Sequence, residues 1–540
     1  MENFTGKSLL NRIAIGKIYL YQKQEYNVEK HNISDIDTEK KRFHKARELA
    51  MEELKSLYDK AMKEIGEAEA QIFEVHRMML EDLDFIEGTE QTIETEKVNA
   101  EYAVHQAGTA LSQMLASMDD DYMKERAIDV LDITKRVIRK LSGMEEGKFV
   151  TEEPVIVVAE DLTPSETMQM DQTKILAFVI QKGSSNSHTA ILARTMNIPA
   201  LVKSDIILKQ EYQGRNAIVD GTSGNFYIDP SEEILNEMLH KKEQIEQIDS
   251  ELKKLIGQET VTTNGHKIHL YANIGNVDDT EKALENDAEG IGLFRSEFLF
   301  IGKETFPTEE EQFQAYKAVL EKMSDKKVVI RTLDIGADKK ADYFQLKQED
   351  NPALGYRAIR ICLTQPEIFI TQLRALYRAS AYGSLSIMFP MIISLEEVLE
   401  IKRIVKNVTD ELAKEQIPMG NVDLGIMIET PAAALISDDL AKEVQFFSIG
   451  SNDLTQYTLA IDRQNEKLES MCDTHHKAIM KLIQMTIENG HKEGIWVGIC
   501  GELASDTTVT ETFIHMGVDE LSVSASQILK VRKKIREVVF

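Results

Sequence analysis

The sequence predicts a multidomain α/β protein: a compact α/β domain interrupted by an inserted helical bundle, followed by a (β/α)8 barrel. Three observations carry this reading. Strand-like and helix-like runs alternate eight times through the second half of the chain. A long charged stretch without proline separates the first strand-like run from the next. The 540 residues are also too many for one hydrophobic core.

The elements follow in order. IAIGKIYLY (13–21) alternates as a strand does. From Phe43 the apolar positions run Ala46, Ala50, Leu54, Leu57, Ala61 and Ile65, steps of three and four that put one stripe on one helix face. PVIVVAEDL and KILAFVI return to strand texture, and NAIVDGTSGNFYID (216–229) reads as two strands about a glycine-containing turn. An α/β domain over 1–30 and 145–229 is therefore expected, with the bundle (31–144) inserted in it. Asp229 is expected to cap the next helix, with Pro230 at its first position and Glu232 completing a capping box. That charged helix (230–258) reads as a linker. The eight runs IHLYANI, GIGLFRSE, VVIRTLDIG, LSIMFPMI, LGIMIET, FFSIGSND, WVGICGE and ELSVSA then form the barrel, 259–540.

Composition narrows the function. With 63 Lys and Arg against 91 Asp and Glu, the net charge is −28. Such a chain repels nucleic-acid phosphates and anionic membranes and suits a basic protein partner, although the same acidity also serves solubility alone. Cys362, Cys472 and Cys500 form no CxxC pair, which argues against a disulfide framework or a zinc site and fits a reducing compartment. No apolar stretch is long enough to span a bilayer, so a cytoplasmic location is expected.

Charged and reactive residues collect at the C-terminal ends of the predicted barrel strands, where such barrels carry their active sites. Glu429 and Asp453 end consecutive strands and offer the hard oxygen ligands that Mg²⁺ or Mn²⁺ prefers. Arg295, Arg331 and Arg463 bring guanidinium forks that grip phosphate and carboxylate. A small polyanionic substrate is implied. Cys500 ends its strand as a possible proton donor, although a strand cysteine taken alone is more often an apolar filler. His188 follows Gly183, Ser184, Ser185, Asn186 and Ser187 at the mouth of a predicted helix, where free N–H groups favour an attached anion. An imidazole there can attack phosphorus; the plainer reading is a solvent-facing loop histidine.

Long motifs then stand in one order: DDDYMKERAIDVLDITKR (119–136), DLTPSET (161–167), SHTAILAR (187–194), GIGLFRSEFLF (290–300), RTLDIGADK (331–339), NPALGYRAIR (351–360), IMFPMI (387–392), IMIETPAA (426–433), FFSIGSNDLTQYTLAIDR (446–463) and GICGELA (498–504). Together they resemble enzyme I of the bacterial phosphoenolpyruvate:sugar phosphotransferase system over essentially the whole chain. The resemblance implies a swivelling phosphohistidine domain, a bundle that docks the phosphocarrier protein HPr, and a phosphoenolpyruvate-binding barrel that dimerises. It implies that His188 takes the phosphoryl group and that Thr167 positions it. Arg295, Arg331, Arg357, Asn452, Asp453 and Arg463 match the substrate contacts. Glu429 and Asp453 match the Mg²⁺ ligands, and Cys500 matches the acid that protonates enolpyruvate. On the bundle, Glu67, Glu74, His76 and Asp82 match positions that meet HPr.

The chain departs from the family at several places, SLLNRIAIG (8–16) and MCDTHH (471–476) among them. GSSNSHT stands where GGRTSHT is usual, which removes a cation beside the phosphohistidine. The chain also stops at Phe540, where relatives continue with a helical segment, so a weaker barrel bottom or dimer contact is expected. An ATP-dependent dikinase would need an ATP-grasp domain, which nothing here resembles. The alternative reading is a catalytically silent relative that binds HPr or phosphoenolpyruvate as a regulator.

Overall fold

The computed structural model describes residues 1–21, 28–64, 67–117, 121–143, 149, 151–183, 188–301, 303, 305–336, 342–344, 346, 349–463, 465, 467–468 and 471–540. They form two compact units, Met1–Ile248 and Asp249–Phe540.

The first unit is built on a mixed sheet of β1 (Glu2–Thr5), β2 (Lys7–Ser8), β3 (Ile13–Tyr21), β4 (Val155–Ala159), β5 (Ile175–Ile180), β6 (Ala200–Val202), β7 (Asn216–Asp220) and β8 (Asn225–Ile228). The order is β1-β8-β7-β3-β4-β5-β6-β2, with β3 to β6 parallel in the middle. β4 is apolar throughout and wholly buried, as a central strand covered on both faces must be. The β7–β8 turn closes on Asp220, whose carboxylate accepts from the Thr222 amide at 2.9 Å and the Ser223 hydroxyl at 2.7 Å. Gly224 completes it at φ +75°, where a Cβ would sit 2.6 Å from the Gly6 carbonyl oxygen.

Between β3 and β4, which pair directly (Tyr21 with Ala159), the described residues make the helices α1 (Ile36–Glu64), α2 (Glu67–Glu81), α3 (Leu83–Glu96), α4 (Ala100–Ala116) and α5 (Asp121–Ser142). The stripe of α1 packs as its spacing predicts: Phe43, Ala46, Ala50, Leu54, Leu57 and Ala61 are all buried in the bundle core, while Ile65 lies outside the described residues. Glu53 of α1 holds Arg136, Arg139 and Lys140 of α5 together. Two further helices flank the sheet, α6 (Pro164–Gln169) and α7 (His188–Met196).

The expected cap of the following helix, α8 (Glu232–Lys253), needs correction. Ser231 caps it, its hydroxyl and carbonyl accepting from the amides of Ile234 and Leu235. Asp229 instead takes a left-handed φ of 46° and pairs with Arg215, its carboxylate accepting from Nε at 2.7 Å. The division between the two units falls within α8, at Ile248 and Asp249.

The second unit is a closed barrel of parallel strands: β9 (His269–Ile274), β10 (Ile291–Arg295), β11 (Val328–Arg331), β12 (Leu385–Phe389), β13 (Asp423–Ile428), β14 (Phe446–Gly450), β15 (Trp496–Cys500) and β16 (Glu520–Ser524), with β16 returning to β9. Inward-facing Val329, Met388, Met427, Phe446 and Cys500 fill the interior, where Phe446 and Trp496 stack at 4.5 Å. Among the described residues no helix is long and apolar enough to cross a membrane.

The last helix, Ile528–Glu537, is pinned by the fully buried Arg532. Its guanidinium pairs with Asp287 and donates to Thr260 Oγ1 at 2.9 Å and to the Leu255 carbonyl at 3.1 Å. Removing the cation leaves the partly exposed Asp287 carboxylate without its partner and takes a donor from the Leu255 carbonyl. Arg532→Met is expected to lower the barrel's unfolding free energy by about 1–3 kcal/mol in urea titrations; an unchanged midpoint would show that the pair contributes nothing.

Candidate active site

The barrel places the predicted residues at one mouth because each ends, or immediately follows, a strand. Arg295 closes β10, Arg331 closes β11, Glu429 follows β13 and Cys500 closes β15. Asn452 and Asp453 begin the helix Ser451–Leu459 directly after β14.

A chain of ion pairs ties Arg331 to Asp453. Arg331 Nη2 lies 2.6 Å from Glu297 Oε1 and 3.0 Å from Asp334 Oδ2. Asp334 Oδ1 then meets Arg357 Nη2 at 2.8 Å, and Arg357 Nη1 reaches Asp453 Oδ1 at 3.7 Å. Arg463, half exposed, lies 3.6 Å from Asp453 Oδ2. Arg357, Asp453, Tyr457 and Arg463 line a cavity of ≈700 Å³ together with Asn351 and Ala353. Asn452 is turned to the backbone, its Oδ1 accepting from the Glu502 amide at 3.0 Å. Arg295 is exposed at the end of its strand, level with Arg331.

Tyr457 was not singled out by the sequence reading. Its hydroxyl accepts from Arg357 Nη1 at 3.1 Å and donates to the Ala353 carbonyl at 2.5 Å. The available signal was its position, four residues after Asp453 on one helix. Asp334, visible as a strand-end charge, proves to be the bridge between Arg331 and Arg357.

Glu429 is fully buried, and its Oε1 accepts from the Met391 amide at 2.7 Å. Burial pushes its carboxyl well up from the ordinary 4.5, and the negative charges of Asp453 and Asp334 push the same way against Arg331 and Arg357. Among the described residues no cluster of three or more metal-ligating side chains occurs. A pair of oxygen donors completed by substrate is nevertheless how Mg²⁺ is commonly held. Glu429 and Asp453 fit that role: one carboxylate is crowded by others, and Asp453 Oδ1 has no hydrogen-bond partner among the described residues.

Cys500 is buried, and burial pushes its thiol up to about 11; the Ser448 hydroxyl pulls it back, while Glu520 and Glu429 add to the rise. The group therefore keeps its proton at neutral pH.

In the first unit, His188 is the first residue of α7. Its side chain, with Ser184, Ser185, Asn186 and Ser187, lies outside the described residues. Thr167 is buried on α6, which packs against α7; its hydroxyl donates to the Pro164 carbonyl at 2.8 Å. A capping box of Thr163 and Glu166 holds α6 in place.

On the bundle, Asp82 caps α3, and Glu74 pairs with Arg77 at 2.8 Å. The Glu67 side chain lies outside the described residues. His76 requires correction as a partner-facing residue. It is fully buried, with Nε2 3.2 Å from Asp129 and Nδ1 3.7 Å from Asp132. It shares a buried stripe with Phe73 and Leu80, three residues before it and four after it. Asp132 also accepts from the Ser165 hydroxyl of α6 at 3.0 Å, so His76 belongs to the seam between bundle and sheet.

Three family models match in chain order. They are the N-terminal domain of PEP-utilising enzymes over residues 5–126, the mobile domain over 151–224 and the PEP-binding domain over 249–540. The chain is 45% identical over 537 residues to the phosphoenolpyruvate-protein phosphotransferase of Bacillus subtilis, covering 99% of this chain and 94% of the relative. The proteins of that name from Priestia megaterium and Staphylococcus carnosus are 44% and 43% identical, with the same coverage.

The chain belongs to the phosphoenolpyruvate-protein phosphotransferase (enzyme I) family.

Membership of this family is consistent with a divalent-metal requirement. The carboxylates give that requirement a pH signature. Because Glu429 titrates above its ordinary value, the folded chain holds a proton that the unfolded chain has already lost. Stability thus falls as pH climbs through that interval. A cation that needs the ionised form binds better at its upper end. The rise in melting temperature on adding MgCl₂ is expected to be larger at pH 8.5 than at pH 6, and Glu429→Gln is expected to abolish the difference. An equal rise at both pH values would remove Glu429 from the cation site.

Proposed function

We propose that this enzyme I family member transfers the phosphoryl group of phosphoenolpyruvate to His188, releases pyruvate, and passes the group to a histidine of HPr. The observation that carries this reading is the barrel mouth. Permanently charged guanidinium groups, a crowded buried carboxyl (Glu429) beside Asp453 and a protonated thiol meet there, the set that a phosphorylated enol acid requires.

Arg463 and Arg295 are the accessible cations that would receive the substrate's phosphate and carboxylate, while Arg331 and Arg357 supply fixed positive charge from below. Glu429 and Asp453 would hold Mg²⁺, with Mn²⁺ as a substitute; when bound, the ion supplies charge that polarises the phosphoryl oxygens. An imidazole nitrogen of His188 attacks phosphorus, the enolate of pyruvate leaves, and the Cys500 thiol protonates its C3 carbon. The start of α7 favours the phosphorylated ring through its helix dipole, and Thr167 orients it.

Transfer to HPr draws support from the bundle surface. Met78 and Leu83 stand exposed beside Glu81, Asp82 and Asp84, an apolar patch with an acidic rim suited to a basic partner. The helical segment 31–144 is the docking domain in this reading, and the α/β segments 1–30 and 145–229 carry the phosphohistidine. The barrel (259–540) binds substrate. His188 must serve two sites, so α8, within the 230–258 linker, is the hinge. Homodimerisation through the barrel and a cytoplasmic location follow from the resemblance. No observation favours a catalytically silent regulator.

The test is labelling with ³²P-phosphoenolpyruvate and Mg²⁺. Acid-labile label is expected on the wild type, absent from His188→Ala and discharged by HPr, with no labelling by ATP. Label that survives in His188→Ala would reassign the phosphoryl acceptor.

A further inference from the structure

The helix Pro366–Ala379 buries Ile368, Phe369, Leu373 and Leu376 in the apolar core of the barrel unit. One position on that face is polar. Gln372, 1% exposed, lies three residues after Phe369 and four before Leu376. A side-chain amide so placed costs free energy unless its polar atoms are bonded. Here all of them are. Its Oε1 accepts from the Leu333 amide at 2.9 Å, and its Nε2 donates to Ser296 Oγ at 3.0 Å and to the Tyr316 hydroxyl at 3.1 Å. A backbone N–H can only donate, so the Leu333 contact fixes which end of the side chain is the oxygen. Both N–H bonds are then left for the two hydroxyls.

Two of the three contacts lead to the barrel mouth. The ladder between β10 and β11 ends at the pair Arg295–Arg331. Ser296 directly follows Arg295, and Leu333 lies two residues after Arg331 and one before Asp334. Gln372 therefore bridges the two turns just past the last paired residues, where the strands no longer hold each other. Glu297 and Asp334 directly follow the two bonded residues, and both lie within 3.0 Å of Arg331 Nη2. The third contact leads away from the mouth. Tyr316 is fully buried on the helix Glu309–Met323, and its hydroxyl donates to Gln312 Oε1 at 3.2 Å. Gln312 Nε2 then donates to the Pro307 carbonyl at 3.1 Å.

A methionine would fill much the same space without burying an amide. What the amide adds is direction, because a hydrogen bond fixes distance and angle where apolar contact tolerates sliding. Ser296 and Leu333 are themselves fully buried, so water cannot take over either bond.

Resting on the reading of Arg295 and Arg331 as phosphoenolpyruvate contacts, we propose that Gln372 is a positioning residue for that substrate. It touches no reacting atom. It ties the strand end that carries Arg295 and Glu297 to the turn that follows Arg331 and carries Asp334. The two guanidinium groups thus stand at one spacing before the anion arrives. Without the amide, the two turns and the carboxylates that hold Arg331 shift independently, and the preformed site is populated less. Substrate binding then weakens by that fraction, while the chemistry of bound substrate, which occurs only in the formed site, changes little.

The experiment compares Gln372→Met, Ser296→Ala and Tyr316→Phe with the unsubstituted chain in two readouts. One is the dissociation constant of phosphoenolpyruvate with Mg²⁺, by titration calorimetry in a His188→Ala background. The other is steady-state pyruvate formation with HPr. Gln372→Met is expected to raise the dissociation constant and KM by roughly 10-fold and Ser296→Ala by roughly 3-fold, with kcat changed by less than about twofold. Tyr316→Phe removes a bond of the same network that does not reach the mouth, and both constants are expected to stay unchanged. Ser296→Ala added to Gln372→Met is expected to weaken binding no further, because its partner is already gone. Equal weakening in all three single variants would show a purely structural network and overturn the proposal. So would unchanged binding in Gln372→Met, or a fall in kcat with KM unchanged. If Gln372→Met does not fold, Ser296→Ala against Tyr316→Phe decides by the same comparison. A wild type that forms no pyruvate would instead overturn the phosphotransferase reading, and the dissociation constants would still decide the role of Gln372.

Discussion

The barrel mouth depends on one electrostatic constraint: buried carboxylates and buried guanidinium groups hold one another in place. Glu297, Asp334 and Asp453 surround Arg331 and Arg357 at 2.6–3.7 Å. Neither partner would tolerate burial alone, since an isolated ion in a low-dielectric interior is strongly disfavoured. Pairing fixes the side chains before any substrate arrives. Glu429 is the member for which the balance is incomplete, because Asp453 and Asp334 raise its carboxyl more than Arg331 and Arg357 lower it. The site is thereby prepared for a ligand that brings both phosphate oxygens and a cation.

The rest of the barrel serves that arrangement. Parallel strands deliver their last residues to one rim, so side chains from β10, β11, β13 and β15 converge although they are far apart in sequence. Beneath the rim, the stacked Phe446 and Trp496 and the Met388 and Met427 side chains exclude water, which keeps the thiol of Cys500 protonated. Gly498 and Gly292 interrupt that apolar packing to admit Glu520. A neutral buried carboxyl below and a charged rim above thus bracket an apolar middle.

Much of this was legible in the chain. Alternation located the barrel strands, and the residues at their C-terminal ends include Arg331, Glu429, Asp453 and Cys500. Three features were not, each for a physical reason. The Asp229 cap failed because the turn needed that residue in a left-handed conformation bonded to Arg215, a contact fourteen residues away that local spacing does not reveal. The family resemblance placed His76 at the partner surface, but it lies three residues after Phe73 and four before Leu80, on the buried face of its helix. Glu520 escaped notice because it follows Asp519 at a strand start, where a pair of acids reads as a solvated edge. Only the register with Gly498 shows that one of the two points inward.

If the crowded carboxylates and the paired arginines form one site, cation and substrate must bind it together. The direct measurement is the dissociation constant of phosphoenolpyruvate for His188→Ala, which cannot turn the substrate over, with Mg²⁺ and with a chelator. The account predicts binding tighter by roughly 10-fold or more with Mg²⁺, and magnesium affinity raised by the same factor with substrate present. Equal affinity under both conditions would contradict it, and the carboxylates would then only brace the rim.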